Sequence, residues 1–167
     1  MIHLVMIFSL IAAAVAQAVT PAWTPLGRAK LPLILGVVLY YALTRDRNTM
    51  LRAAFLGGLF QDALGMMPLG TSSFCFCLVA AVINRFRELI FVRQFTTHLL
   101  FGALVNLATT LALFLLLVAG GHVAAAPRLL VMKLAGAVAL GALAMPPVFY
   151  AVETLERRVG VLNAREF

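Results

Sequence analysis

The sequence predicts an all-α polytopic membrane helix bundle of about six transmembrane helices, with both termini cytoplasmic. Three observations carry that prediction. Of the 167 residues, 63% are hydrophobic and only 11% are charged, whereas soluble globular chains run about 45–50% apolar and about 25% charged. The mean hydropathy is +1.04. The charges gather into short runs that divide the chain into long apolar stretches. A soluble domain of this size has too little interior to hide so much apolar surface. The same composition excludes intrinsic disorder and a disulfide-stapled secreted fold. Six spans of about 20 residues use roughly 120 and leave about 47 for loops and a tail, so no separate soluble domain fits. The expected division is a transmembrane domain over residues 1–152 and a cytoplasmic amphipathic tail over 153–167.

The elements follow in order. Residues 2–20 form the first run, with His3 and Gln17 as its strongly polar groups. Its start carries no Lys or Arg, so it lacks a signal-peptide n-region, although Ala16-Gln17-Ala18 resembles a cleavage site; an uncleaved helix is expected. Residues 21–30 read as a turn with an interfacial Trp23. The second run, 31–44, ends in Tyr40 and Tyr41 and is short for a span. Arg45-Asp46-Arg47-Asn48 makes a polar loop, and the third run, 51–66, contains Gly57, Gly58 and Asp62. Pro68-Leu69-Gly70 punctuates the chain before the fourth run, about 70–84. After Arg85, Arg87, Glu88 and Arg93, the fifth run covers about 95–119. Gly120-Gly121-His122 reads as a turn, and the sixth run covers about 128–150, where Pro146-Pro147 is expected to kink the helix or end it early. In the tail, Glu153 and Arg157 are spaced as a favourable i,i+4 pair, and Leu155, Val159 and Leu162 could share an apolar face, which reads as a short amphipathic helix along the membrane surface or, equally, as a frayed tail.

Thirteen Lys+Arg against six Asp+Glu give a formal net charge of +7. In a soluble chain that excess points to nucleic acid. Here the basic residues flank apolar runs, so the partner they imply is the lipid bilayer and no nucleic acid. With six spans and the N-terminus inside, Arg45, Arg47, Arg52, Arg85, Arg87, Arg93, Arg157, Arg158 and Arg165 lie on the inner side. Arg28, Lys30, Arg128 and Lys133 lie outside, and this asymmetry sets the orientation. If runs 31–44 and 51–66 formed one re-entrant hairpin, four spans would remain, with the termini still on one side.

Asp62 is the sharpest feature, because a lone acid within a spanning helix costs about 2.5–3.5 kcal/mol on insertion scales. It needs a partner, a helix terminus or a wet cavity. It lies about 15 Å along its run from Arg52, and Lys133 lies about 7–8 Å below the outer end of the sixth run. Similar depth leads to the expectation that Asp62 pairs with Lys133, with Arg128 as second choice. Gly57, Gly58, Gly65 and Gly70 surround Asp62, and Ala12 with Ala16 and Ala14 with Ala18 repeat small-residue spacing, which suits close helix packing. Asn106 and Thr110 share a face of the fifth run, with Thr109 beside them; internal packing is the expected role, with bonds across helices as the alternative. Cys75 and Cys77 face nearly opposite sides of a helix, which suits buried thiols rather than a disulfide or metal pair. His3, His98 and His122 have no metal-like companions. No G-x-S-x-G, H-E-x-x-H or Walker loop occurs, so no catalytic residue, metal or cofactor is expected.

Residues 31–70 resemble the bacterial rod shape-determining MreD family. An apolar run begins at Leu31-Pro32 and ends in Tyr40-Tyr41; a short basic loop follows; then come Gly58-Leu59-Phe60-Gln61-Asp62 and Pro68-Leu69-Gly70. The family's pattern is similar: a glycine four residues before an aspartate, and a Leu-Gly eight after it. The resemblance implies a non-enzymatic, multi-pass inner-membrane protein that binds MreC. Through MreC it would be linked to MreB, RodA and a class B transpeptidase, and so help position peptidoglycan synthases to maintain rod shape. It also implies a fold similar to the substrate-binding (S-component) subunits of vitamin transporters. Gly58, Asp62, Pro68 and Gly70 match the motif and stand with Lys133 and Arg128 as candidate structural or partner-interface residues.

Two functions follow. A scaffold predicts an apolar, lipid-facing groove lined by small and aromatic residues. A small-molecule-binding transporter subunit predicts a polar cavity near Asp62, for which Thr71, Ser72, Ser73 and Arg128 are the few groups on offer. That scarcity favours the scaffold.

Overall fold

A computed structural model of the chain describes residues 2–20, 31–65, 68–86, 95–120 and 127–159. Every regular element among them is a helix: α1 (Ile2–Val19), α2 (Leu33–Thr44), α3 (Arg47–Gly65), α4 (Thr71–Phe86), α5 (Phe95–Ala119) and α6 (Pro127–Arg158). The Trp23 turn, Arg87, Glu88, Arg93, Gly121, His122 and the tail from residue 160 lie outside the described residues.

α2 forms the centre. All ten residues from Ile34 to Leu43 are buried, and a helix apolar on every side has no stable place but an interior. α1, α3, α4 and α6 pack around it. Its 12 residues make a rod of about 18 Å, shorter than a hydrocarbon core of about 30 Å. Among the described residues, three segments are long and apolar enough to cross a membrane: α1, Leu99–Leu116 of α5 and Val131–Arg158 of α6. α2 and Thr71–Arg85 of α4 are shorter apolar helices.

The helix directions alternate. His3, near the start of α1, meets Arg52 near the start of α3 at 3.0 Å. At the other ends of the same helices Gln17 meets Gln61 at 2.8 Å, so α1 and α3 are parallel and α2 runs back between them. α2 stops at Thr44, with Arg45 extended, and Asp46 opens α3. Its carboxylate accepts the Thr49 hydroxyl at 2.8 Å. That hydrogen bond holds the Asp46 carboxyl below its usual range.

α5 and α6 form an antiparallel pair that crosses at glycines. A Cβ on Gly141 would meet the Gly102 carbonyl oxygen at 2.6 Å and Asn106 Cβ at 2.7 Å. Asn106 Nδ2 donates to the Ala137 carbonyl at 2.7 Å, a bond across the two helices. Thr109 instead bonds the Val105 carbonyl of its own helix. Cys75 is buried, Cys77 half-buried, and both thiols are free.

Of the two outcomes expected at Pro146-Pro147, a kink or an early end, the early end does not occur. α6 runs unbroken through Pro146 and Pro147 to Arg158. Tertiary packing overrides the two prolines: Met145, Val148 and Phe149 are buried, Val148 lies against Gly36, and the Phe149 ring meets Tyr40 edge-on at 5.5 Å. Residues 153–158 continue the same helix. The expected Glu153–Arg157 pair forms there at 2.6 Å.

Apolar side chains also cover the outside. Leu4, Phe8, Ile11 and Val15 of α1, Phe74, Leu78 and Val82 of α4, and Leu100, Leu104, Leu111 and Leu115 of α5 are exposed. Their three- and four-residue spacing makes outward stripes, opposite in sense to a soluble bundle. Because backbone blocks backbone at the α5–α6 crossing, Gly141→Val should destabilise the fold by about 1–3 kcal/mol. A lower thermal unfolding midpoint in mild detergent is the expected result.

Candidate functional site

The motif residues meet at one corner, where α3 hands over to α4. Asp62 is 1% exposed. Its Oδ2 accepts the Gly70 backbone N–H at 2.7 Å, and its Oδ1 accepts the Ser72 backbone N–H at 2.9 Å. α4 starts at Thr71, so the carboxylate sits on the first turn of α4. The amides there lack intrahelical acceptors, and the positive end of the helix dipole favours an anion. Burial of the acid is thus compensated by backbone.

The other motif residues make that reach possible. A Cβ on Gly58, one turn before Asp62, would overlap the backbone of Ser72 and Ser73. Its absence lets α3 and α4 touch backbone to backbone, and the Ser73 hydroxyl donates to the Phe55 carbonyl at 3.1 Å. Gly70 has φ +97°, a conformation that L side chains rarely adopt, and this turns its N–H toward Asp62. The Pro68 carbonyl accepts both the Thr71 N–H at 3.2 Å and the Thr71 hydroxyl at 2.9 Å, closing the turn.

The expected Asp62–Lys133 pair does not form. Lys133 is exposed on α6, and no ion pair joins it to Asp62 among the described residues. Equal depth did not mean adjacency: α2 stands between α3 and the body of α6, and the nearby amides satisfy the acid first. Arg128 lies in the first turn of α6, and its side chain is outside the described residues.

Two further polar contacts were not assigned by sequence reasoning. Gln17, at the same end as Asp62, donates to Gln61 Oε1 at 2.8 Å, and its Oε1 accepts the Ile34 N–H at 3.3 Å. It ties α1 to α3 and caps the start of α2. At the opposite end Glu156 is 0% exposed. Its Oε2 accepts the Tyr40 hydroxyl at 2.8 Å and Arg45 Nη2 at 2.8 Å, while Asn84 Nδ2 bonds the Ala42 carbonyl at 2.8 Å. This lock clamps the ends of α2, α4 and α6 together. Its signal was present in the sequence: Ala144, Val148, Val152 and Glu156 recur every four residues, so the buried face of α6 extends past the end of the apolar run.

Chemically, both clusters hold helices in place. Among the described residues no three His, Cys, Asp or Glu gather as metal ligands. The crevice between α2, α4 and α5, lined by Leu35, Val38, Leu39, Phe76, Ile83 and Val105 among others, is apolar and too narrow to admit water.

A family model described as rod shape-determining protein MreD matches residues 1–150. No curated protein and no solved structure matches the chain.

Removing the acid leaves two backbone donors without an acceptor, each worth about 1–3 kcal/mol where buried. Asp62→Ala should therefore lower the thermal midpoint strongly and Asp62→Asn less, because one carbonyl oxygen remains. Lys133→Ala should stay within about 0.5 kcal/mol of the parent, and exchanging the charges at 62 and 133 should rescue nothing. Arg45→Ala should cost about 3–5 kcal/mol by stranding the buried Glu156 carboxylate, whereas pairing it with Glu156→Gln should recover much of that loss in the same assay.

Proposed function

We propose, from the premise that the chain belongs to the MreD family of rod shape-determining proteins, that it is a non-enzymatic scaffold of the bacterial cell-elongation machinery. The match over residues 1–150 carries this reading. Members of that family are membrane proteins with a role in rod shape determination. The apolar helices of this chain fit such a multi-pass protein. The finer reading is that it binds MreC and through it is linked to MreB, RodA and a class B transpeptidase. Its place would be the inner membrane. His3 of α1 and Arg45 and Glu156 of the α2–α6 lock all lie at one end of the bundle, which supports both ends of the described chain lying on one side; the excess of basic residues makes that side the cytoplasmic one in this reading.

The site geometry supports a scaffold over a transporter subunit. A ligand-binding role needs a polar group free to meet the ligand. Both Asp62 oxygens are already engaged by the backbone of α4, so the residue most suited to a ligand maintains a helix corner instead. What the bundle offers to a partner is apolar surface on α1, α4, α5 and α6.

Co-expression with tagged MreC from the same cell and purification in mild detergent tests this. A stoichiometric complex that survives gel filtration is expected. A well-folded chain that elutes alone, with a small metabolite released on denaturation and detected by mass spectrometry, would transfer the assignment to the transporter alternative.

A further inference from the structure

Arg52 carries a charge that no described acid answers. The salt bridges of the described residues are Arg45–Glu156 and Arg157–Glu153. The other arginines at that end of the bundle have a local answer. Arg85 and Arg158 sit in the last turns of α4 and α6, where the carbonyl end of a helix favours a cation, and Arg47 follows Asp46. Arg52 lies in the first half of α3, and its Nη1 is 3.0 Å from His3 Nε2. A guanidinium only donates, so Nε2 accepts in this contact and the ring proton is on Nδ1. An imidazole acceptor takes up one N–H and cancels no charge. The pair, exposed at both residues, keeps its positive charge and most of its N–H donors.

The surface that continues from this pair is apolar. Phe55, Leu56 and Leu59 follow Arg52 at three-, four- and seven-residue spacing, one stripe of α3. Phe55 is exposed and the two leucines are half-buried. Ile7, one turn on from His3, is exposed on α1. α1 and α3 pack together and run parallel, so both apolar rows start at the charged pair. Arg52 is five residues on from Arg47, about 7–8 Å along the axis. At such a position a long basic side chain lays its stem on apolar surface and carries its head into the headgroup layer. Charge at one end and an apolar flank below it are complementary to an anionic amphiphile. A free anion would use only the head of this surface, and a zwitterionic headgroup would bring a second cation beside Arg52.

We propose that Arg52 and His3 form a headgroup site for an anionic phospholipid. The guanidinium and the His3 Nδ1–H donate to the phosphodiester, for which the planar guanidinium fork is well matched, and an acyl chain lies along the stripe of Phe55, Leu56 and Leu59. The site goes beyond the scaffold reading and does not depend on it.

The test uses the full chain in mild detergent. Phosphatidylglycerol, phosphatidylcholine and glycerophosphate, which has the anionic head without acyl chains, are each titrated in, and the bound molecules are counted by native mass spectrometry. Phosphatidylglycerol should be held about fivefold more tightly than phosphatidylcholine, the size of one cation near an anionic surface, and glycerophosphate should not be retained. Arg52→Gln should erase that preference and Arg52→Lys should keep part of it, since the charge stays and the fork is lost. Arg158→Gln, a charge removed at the same end, should leave it whole. The lipid-free thermal midpoint of Arg52→Gln should match the parent, because Arg52 is exposed. Should it fall, His3→Ala supplies a second reading, in which the preference must also drop. Equal retention of the two lipids by the parent, retention of glycerophosphate as tight as that of the lipid, or an unchanged preference in Arg52→Gln or His3→Ala would overturn the site.

Discussion

The bond between the Asp62 carboxylate and the first turn of α4 is the constraint on which the rest of the structure depends. A negative charge on a helix interior in a membrane is tolerated only where something answers it. Here two backbone amides answer it, at 2.7 and 2.9 Å. These are amides that the start of a helix leaves without acceptors in any case. Each side solves the other's problem. The geometry then dictates its surroundings: a glycine at 58 so that the helices touch, a positive φ at Gly70 so that its N–H turns inward, and a carbonyl at Pro68 that closes the turn.

The corner matters because α2 is too short and too uniformly apolar to stand alone. It is held by its neighbours, and the neighbours are held at both ends. At the Asp62 end Gln17 joins α1, α2 and α3. At the other end Glu156 joins α2 to α6 through Tyr40 and Arg45. Apolar packing between these two polar layers is nearly non-directional, and hydrogen bonds in a water-poor setting supply register. The bundle is thus pinned at both ends, and the described crevice between α2, α4 and α5 is lined by apolar side chains.

The described helices present much apolar surface with which to associate. The buried acids among them are engaged in holding helices. The exterior is apolar, which suits lipid and equally suits another helix. Family membership supplies the biological frame of rod shape determination.

Much of this was legible in the sequence. Composition and the spacing of charges determine the class, because no soluble interior can absorb 63% apolar residues, and the six runs correspond to the six helices to within a few residues at most ends. The glycines and proline around Asp62 marked the corner, since those residue types have few other uses at such spacing. Three matters were decided only by tertiary structure. The partner of Asp62 depends on which helices are neighbours, and matching depths along two runs cannot reveal that α2 lies between them. The passage of α6 through two prolines depends on packing around Met145 and Phe149, which outweighs local propensity. The role of Glu156 depends on a buried face that continues beyond the apolar run, to a charged residue whose cationic partner lies more than a hundred positions away. Local physics sets which segments form helices; long-range contact sets which polar groups meet.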